Sequence, residues 1–163
     1  VHTLKLEGRG RSPEYVATVT AAYRRALKAI QAGSYTAELV ASLRQELEKV
    51  YHRGHSSGYY LGRKQGWSAA HGSKAPRQKI QAGRVTHYYS KLGVAEIAAS
   101  APIRSGQDYL IVGDTTGVLS GTLPDLRLDD TRAVAEVAPT QTFSIAVPQK
   151  VRPNDRFSPP LPA

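Results

Sequence analysis

The chain contains no cysteine and no methionine among its 163 residues. Without cysteine it has no disulfide scaffold, no thiolate nucleophile, and no cysteine-held zinc or iron–sulfur cluster. Without methionine, Val1 is expected to be an internal position of a larger reading frame. Long apolar runs are missing too. None approaches the roughly 18 residues that cross a bilayer, and no basic-then-apolar targeting segment opens the chain. No membrane insertion is expected, and a cytoplasmic location is the reading that follows. Acidic residues are absent from the whole stretch Lys49 to Ala95.

Hydrophobic residues make up 40% of the chain and charged residues 21%. That is enough to build a core, and the length suits one domain or two small ones. The formal net charge of +9 is unevenly spread. Residues 1–80 hold 14 Lys/Arg against 5 Asp/Glu, whereas residues 81–163 hold 8 of each. Within the acid-free stretch, Arg53, Arg63, Lys64, Lys74, Arg77 and Lys79 alternate with Tyr51, Tyr59, Tyr60 and Trp67. Cations that neutralise phosphate beside rings that stack on bases are the composition of a nucleic-acid surface. A solvated loop lying against an acidic partner domain has the same composition.

Local patterns divide the chain. Leu4-Lys5-Leu6-Glu7 alternates apolar and polar residues and reads as a short strand ended by Gly8-Arg9-Gly10-Arg11. Ser12-Pro13-Glu14 is a helix start, and the helix is expected to run to about Ala32 before Gly33. Tyr15, Val16, Val19, Tyr23, Ala26, Leu27 and Ile30 share one of its sides. A second helix begins near Thr36 with Leu39, Val40, Leu43, Leu47 and Val50 as its buried stripe. Periodicity then disappears from His52 to Lys79. Beyond it, six β-rich segments separated by Gly, Asp and Pro suggest a small closed barrel. The expected division is 1–62 for the strand and helices, 63–79 for a basic glycine-rich linker, 80–158 for the barrel and 159–163 for a Pro-rich tail. One strand and two amphipathic helices look like a unit of a parallel α/β domain whose other units are missing.

Several of these stretches resemble one family. Leu4-Lys5-Leu6-Glu7-Gly8-Arg9, followed by Arg11-Ser12-Pro13-Glu14-Tyr15-Val16, resembles a late segment of peptidase family U32, the collagenase-like proteins. Tyr51 to Gly62 is similar to that family's R-G-F-S-S-G-F-Y-L-G element, with His55 where an aromatic is usual. Gly66-Trp67-Ser68, Tyr88 to Ile97, Gly113 to Gly117 and Val151 to Asp155 resemble its carboxy-terminal extension. The resemblance implies an α+β chain: the last strand–helix unit of an incomplete TIM-like barrel plus an extra helix. A six-stranded antiparallel β-barrel, like the second domain of elongation factors, would follow. It also implies a non-catalytic region positioning RNA or another anionic substrate for a catalytic barrel elsewhere. Family members are known as peptidases, and others hydroxylate transfer RNA, ribosomal RNA or quinones. Their iron–sulfur cluster belongs to the missing barrel half, so no cofactor is expected on this chain. Partners in this reading are the missing α/β-barrel half, another copy or a host complex, and tRNA or rRNA. A polypeptide-gripping part of a peptidase, or a structural subunit of a larger assembly, are the alternatives.

Candidate sites follow from both lines. By resemblance, Glu7 and Arg9 stand at the barrel mouth, where such folds place their chemistry; a Glu–Arg pair bracing the strand to its loop is the simpler role. Arg9, Arg11 and Ser12, in a glycine-rich turn entering a helix, form a candidate anion site, with capping as the alternative. Arg53, Tyr59, Tyr60, Arg63, Lys64, Trp67, Lys74, Arg77 and Lys79 are the candidate nucleic-acid residues. His52 and His55 have a metal-ligand spacing but lack further ligands nearby, so no metal site is assigned. No nucleophile elbow supports a Ser/His/Asp triad. Gly113 to Gly117 lacks the Gly-Lys-Ser/Thr ending of a phosphate loop and reads as a turn.

Overall fold

The computed structural model describes residues 2–56, 58–59, 62, 72–75, 77–128 and 132–162, with backbone alone at 77–79 and 160–162. The chain divides into two compact units, Val1–Arg77 and Gln78–Ala163.

The first unit is built on α1 (Pro13–Gln31) and α2 (Ala37–Glu48). Pro13 takes the first helical position, where its fixed φ suits the helix and its missing N–H costs nothing. Ser12 occupies the N-cap, but its hydroxyl turns to the Glu14 carboxylate instead of the backbone. The helix ends as expected. Gly33 adopts φ +67°, and the Ser34 and Gly33 N–H groups donate back to the Ala29 and Ile30 carbonyls at 2.8 and 3.2 Å. Only glycine takes that left-handed position without strain. At α2, the Thr36 hydroxyl accepts from the Leu39 N–H at 3.3 Å, a true N-cap.

These helices meet along a thin seam. Ala22, Ala29 and Leu43 are buried, and an Arg25–Glu46 ion pair bridges the helices. The expected stripe of α2 is present, with Leu39, Val40, Leu47 and Val50 half-buried around Leu43. The larger residues of α1 behave differently. Val16, Tyr23, Leu27 and Ile30 are 40% to 57% exposed. Two helices share one contact line, so the small residues Ala22 and Ala29, seven apart, take the seam and the larger ones turn outward. Leu4–Glu7 is not a strand. A strand exists only through a ladder, and no described strand pairs with this segment.

The second unit is antiparallel β. Its strands are β1 (Arg77–Lys79), β2 (Gly83–Tyr89), β3 (Val94–Ala99), β4 (Ile103–Arg104), β5 (Asp108–Gly113) and β6 (Gly117–Thr122). They continue as β7 (Leu126–Arg127), β8 (Ala133–Val134), β9 (Glu136–Val137), β10 (Thr142–Ala146), β11 (Arg156–Ser158) and β12 (Pro160–Pro162). Eight form one sheet in the order β6-β5-β11-β2-β3-β10-β7-β8, while β4 pairs with β9 and β1 with β12. The six expected strands become twelve, and three of the added ones have an origin in the local sequence. The run 118–128 breaks at Pro124, which lacks a ladder N–H. Arg156–Ser158, too short to show alternation, is a central strand between β5 and β2. Pro160–Pro162, read as tail, pairs with β1. Among the described residues no ladder joins β6 to β8, so hydrogen bonding alone leaves the sheet order open-ended.

Strand alternation places Ala95, Ile97 and Ala99 of β3, Phe143 and Ile145 of β10, and Phe157 of β11 in one core. Phe143 and Phe157 meet edge to face at 5.8 Å, and both are fully buried. The whole is therefore α+β, two helices followed by an antiparallel sheet. Among the described residues no helix is long and apolar enough to cross a membrane.

Candidate anion and nucleic-acid cleft

In the first unit, the turn before α1 and the loop after α2 face each other across a cleft of about 290 Å³. The turn brings Arg11, whose N–H donates to the Gly8 carbonyl at 3.0 Å. The loop brings Tyr51, His52, Arg53 and His55. The Arg11 guanidinium carbon lies over the Tyr51 ring, 4.0 Å from its centroid, and 5.9 Å from that of Tyr15. On the other side, Arg53 Nε donates to the Tyr51 hydroxyl at 2.9 Å. This hydrogen bond holds the Tyr51 phenol below the usual tyrosine range against the opposing effect of burial, with lesser help from Arg11.

The two histidines stack with ring centroids 5.2 Å apart and planes 7° from parallel. His52 Nδ1 accepts from the Gly54 N–H at 3.2 Å, which places the proton of the neutral ring on Nε2. Among the described residues no group of three His, Cys, Asp or Glu side chains could hold a metal ion. The cleft is thus a cationic and aromatic surface. A guanidinium fixed over a ring has already lost part of its rotamer freedom, and its planar fork of donors suits oxyanions.

The residues singled out from sequence are dispersed around this geometry. Arg11 and Arg53, assigned to different sites, come together on Tyr51. Arg9 uses its backbone N–H to bind Glu7 Oε1 at 3.0 Å, and Lys5 lies 3.8 Å from the other Glu7 oxygen. Glu7 therefore braces its own turn. The Ser12 hydroxyl is occupied by Glu14. Lys74 reaches the loop through its backbone, donating to the His52 carbonyl at 2.8 Å, while Tyr59 is 71% exposed. Tyr60, Arg63, Lys64 and Trp67 lie outside the described residues, as do the side chains of Arg77 and Lys79. Sequence reasoning counted Tyr51 among the rings of the acid-free stretch but not among the site residues, left out Tyr15, and weighed His52 and His55 only as metal ligands. The position of Tyr51 at the head of the acid-free stretch was the one available signal.

Residues 1–69 match the model of peptidase family U32. Two proteins named collagenase from Porphyromonas gingivalis are 40% and 39% identical over 159 residues, 96% of this chain and 38% and 44% of theirs. An uncharacterised protease of Methanocaldococcus jannaschii is 31% identical over 131 residues, covering 78% of this chain and 32% of that protein. The chain therefore spans less than half the length of these curated relatives. Among solved structures, the C-terminal domain of a protein described as a U32 peptidase from Geobacillus thermoleovorans gives a TM-score of 0.45 at 18% identity. That match covers 47% of this chain and 86% of the solved one. The segment matched by the family model contains both the turn around Arg11 and the loop of Tyr51, so the chain's similarity to peptidase family U32 takes in the whole cleft.

Proposed function

We propose that this chain is the carboxy-terminal, substrate-positioning part of a longer U32 protein, and that its cleft takes an anionic substrate, RNA foremost. The observation that carries this reading is Arg11 held over the Tyr51 ring while Arg53 binds the same side chain's hydroxyl. Two guanidiniums on one ring offer phosphate contacts beside a surface on which a base can stack. In this reading the first unit completes an α/β barrel supplied by the preceding part of the protein, and the second unit curls into a small barrel. The exposed side of α1 is the face that barrel covers, and Glu7 and Arg9 stand at its mouth. An iron–sulfur cluster needs thiolates, and these 163 residues contain none.

The names of the Porphyromonas gingivalis relatives favour a second reading, a polypeptide-handling part of a peptidase. Fluorescence anisotropy separates the two. Labelled tRNA should bind the full chain with an affinity that falls steeply with salt, and Arg11→Gln with Arg53→Gln should weaken it about tenfold. Binding that ignores salt and both substitutions, or competition by denatured collagen instead of RNA, would end the RNA reading.

A further inference from the structure

Residues 81–163 carry equal numbers of cationic and acidic residues, yet three of their arginines converge on one cleft of about 460 Å³. Arg84 on β2 and Arg156 on β11 are register partners, directly opposite each other on neighbouring antiparallel strands. Both are exposed. Side chains in such a pair start about 5 Å apart, and like charges there are destabilising unless an opposite charge sits between them. Arg152 completes the set from the adjoining turn. Arg84 Nη1 donates to the Asn154 carbonyl at 3.3 Å, and Arg152 Nη1 to the Thr116 hydroxyl at 3.5 Å. Among the described residues none of the three guanidiniums is ion-paired.

Two carboxylates line the same cleft, and neither forms an ion pair with the arginines. Asp155 is 5% exposed and accepts from the Arg152 N–H at 2.8 Å through Oδ2. Asp114 is exposed. The wall behind the arginines is rigid. The Asp155 N–H returns to the Arg152 carbonyl at 3.1 Å, Asn154 holds φ +74°, and the Asp155 carboxylate fills the space a side chain on Gly113 would need. Two segments far apart in sequence, around 113–116 and 152–156, are thereby locked together with cations facing outward.

We propose that this cleft is a phosphate-binding site, with Arg84, Arg152 and Arg156 as the groups that hold the phosphate oxygens. The geometry answers the unpaired cross-strand repulsion with a dianionic or diester phosphate, which guanidinium forks bind by paired hydrogen bonds. The site shares no residue with the Arg11–Tyr51 cleft and does not rest on the function proposed for it.

The test is a titration of the full chain with pyrophosphate at constant ionic strength, followed by backbone amide NMR and calorimetry. Shifts at 113–116 and 152–156, absent with chloride, are expected. Arg84→Gln with Arg156→Gln should reduce the affinity read at those amides on the order of tenfold. Shifts elsewhere only, or equal affinity in the Arg84/Arg156 variant, would overturn the proposal. The variant should unfold no more easily than the parent in phosphate-free buffer, since it relieves repulsion. A poorly folded variant leaves the amide map of the unsubstituted chain to decide. Oligouridylates of increasing length distinguish the source of the phosphate: affinity that climbs with length marks a polynucleotide backbone, and affinity no better than pyrophosphate marks a small phosphate ligand.

Discussion

Arg11 lies 4.0 Å from the centroid of the Tyr51 ring, which ties the entrance of α1 to the loop that leaves α2. The contact sits at the open end of a helix pair whose buried seam is thin. It gives the first unit a polar closure where apolar burial has run out.

The Tyr51 phenol reports on that closure. Arg53 depresses its pKa chiefly through the hydrogen bond, so Arg53→Gln should return it toward the ordinary tyrosine value. A depressed folded pKa adds stability above the unfolded phenol value, and this contribution disappears as pH falls through the folded one. Carbon-13 titration of tyrosine, with Tyr51→Phe to assign the signal, reads the shift. A Tyr51 curve unchanged by Arg53→Gln would contradict the coupling.

Gly113 should resist even a methyl group. A Cβ there would collide with the Asp155 carboxylate, which is buried and bound to the Arg152 N–H. Gly113→Ala is expected to cost about 1–3 kcal/mol in urea unfolding. Adding Asp155→Ala removes the obstacle, so the pair should cost less than the sum of the single changes. Strict additivity would show that the two residues do not compete for space.

Acid should weaken the β unit partly through Glu96. Its carboxylate accepts from the Thr86 hydroxyl at 2.6 Å and the Tyr89 hydroxyl at 2.9 Å, and His87 stands nearby. These partners, Thr86 first, hold the Glu96 pKa below the ordinary glutamate value. The stability it contributes is present above the unfolded carboxyl value and is lost as pH falls through the folded one. Urea midpoints from neutral pH to about pH 3 should therefore fall less steeply in Glu96→Gln than in the parent. An identical slope would remove Glu96 from the acid response.

The outward face of α1 should tolerate polarity in this chain. Leu27→Gln and Ile30→Gln are expected to shift unfolding by no more than about 0.5 kcal/mol, because both residues are already exposed. Leu43→Ala, at the seam, should cost about 2 kcal/mol or more. Large losses from the first two would mean that the α1 face is covered within this chain after all.

Both helices were legible from local signals. Pro13, Gly33 and Thr36 act within a turn or two of themselves, so their roles survive any tertiary arrangement. The β-rich segments 84–89, 94–97, 109–112 and 143–147 were legible for a similar reason, since alternation records which side meets a core. Arg156–Ser158 was not legible, because three residues show no period and their strand exists only through partners on β2 and β5. The Leu4–Glu7 pattern misled in the opposite direction. Alternation marks a segment able to pair, but a strand needs a neighbour to pair with.

The same division runs through the sites. Arg11 and Arg53 were visible as cations, but Tyr51 became their shared anchor only when a turn and a loop 40 residues apart closed on each other. The absence of cysteine excluded thiolate and cluster chemistry on these residues from composition alone, because no folding can supply a missing atom. The acid-free stretch likewise showed where the positive charge lies. How charge is arranged in the balanced second half was decided only by tertiary structure. Strand register set Arg84 opposite Arg156, and a buried Asp155 turned its own charge inward, so a neutral sum conceals a cationic cleft. Composition counts charges, whereas the field at a site depends on their distances and burial, which the folded backbone alone determines.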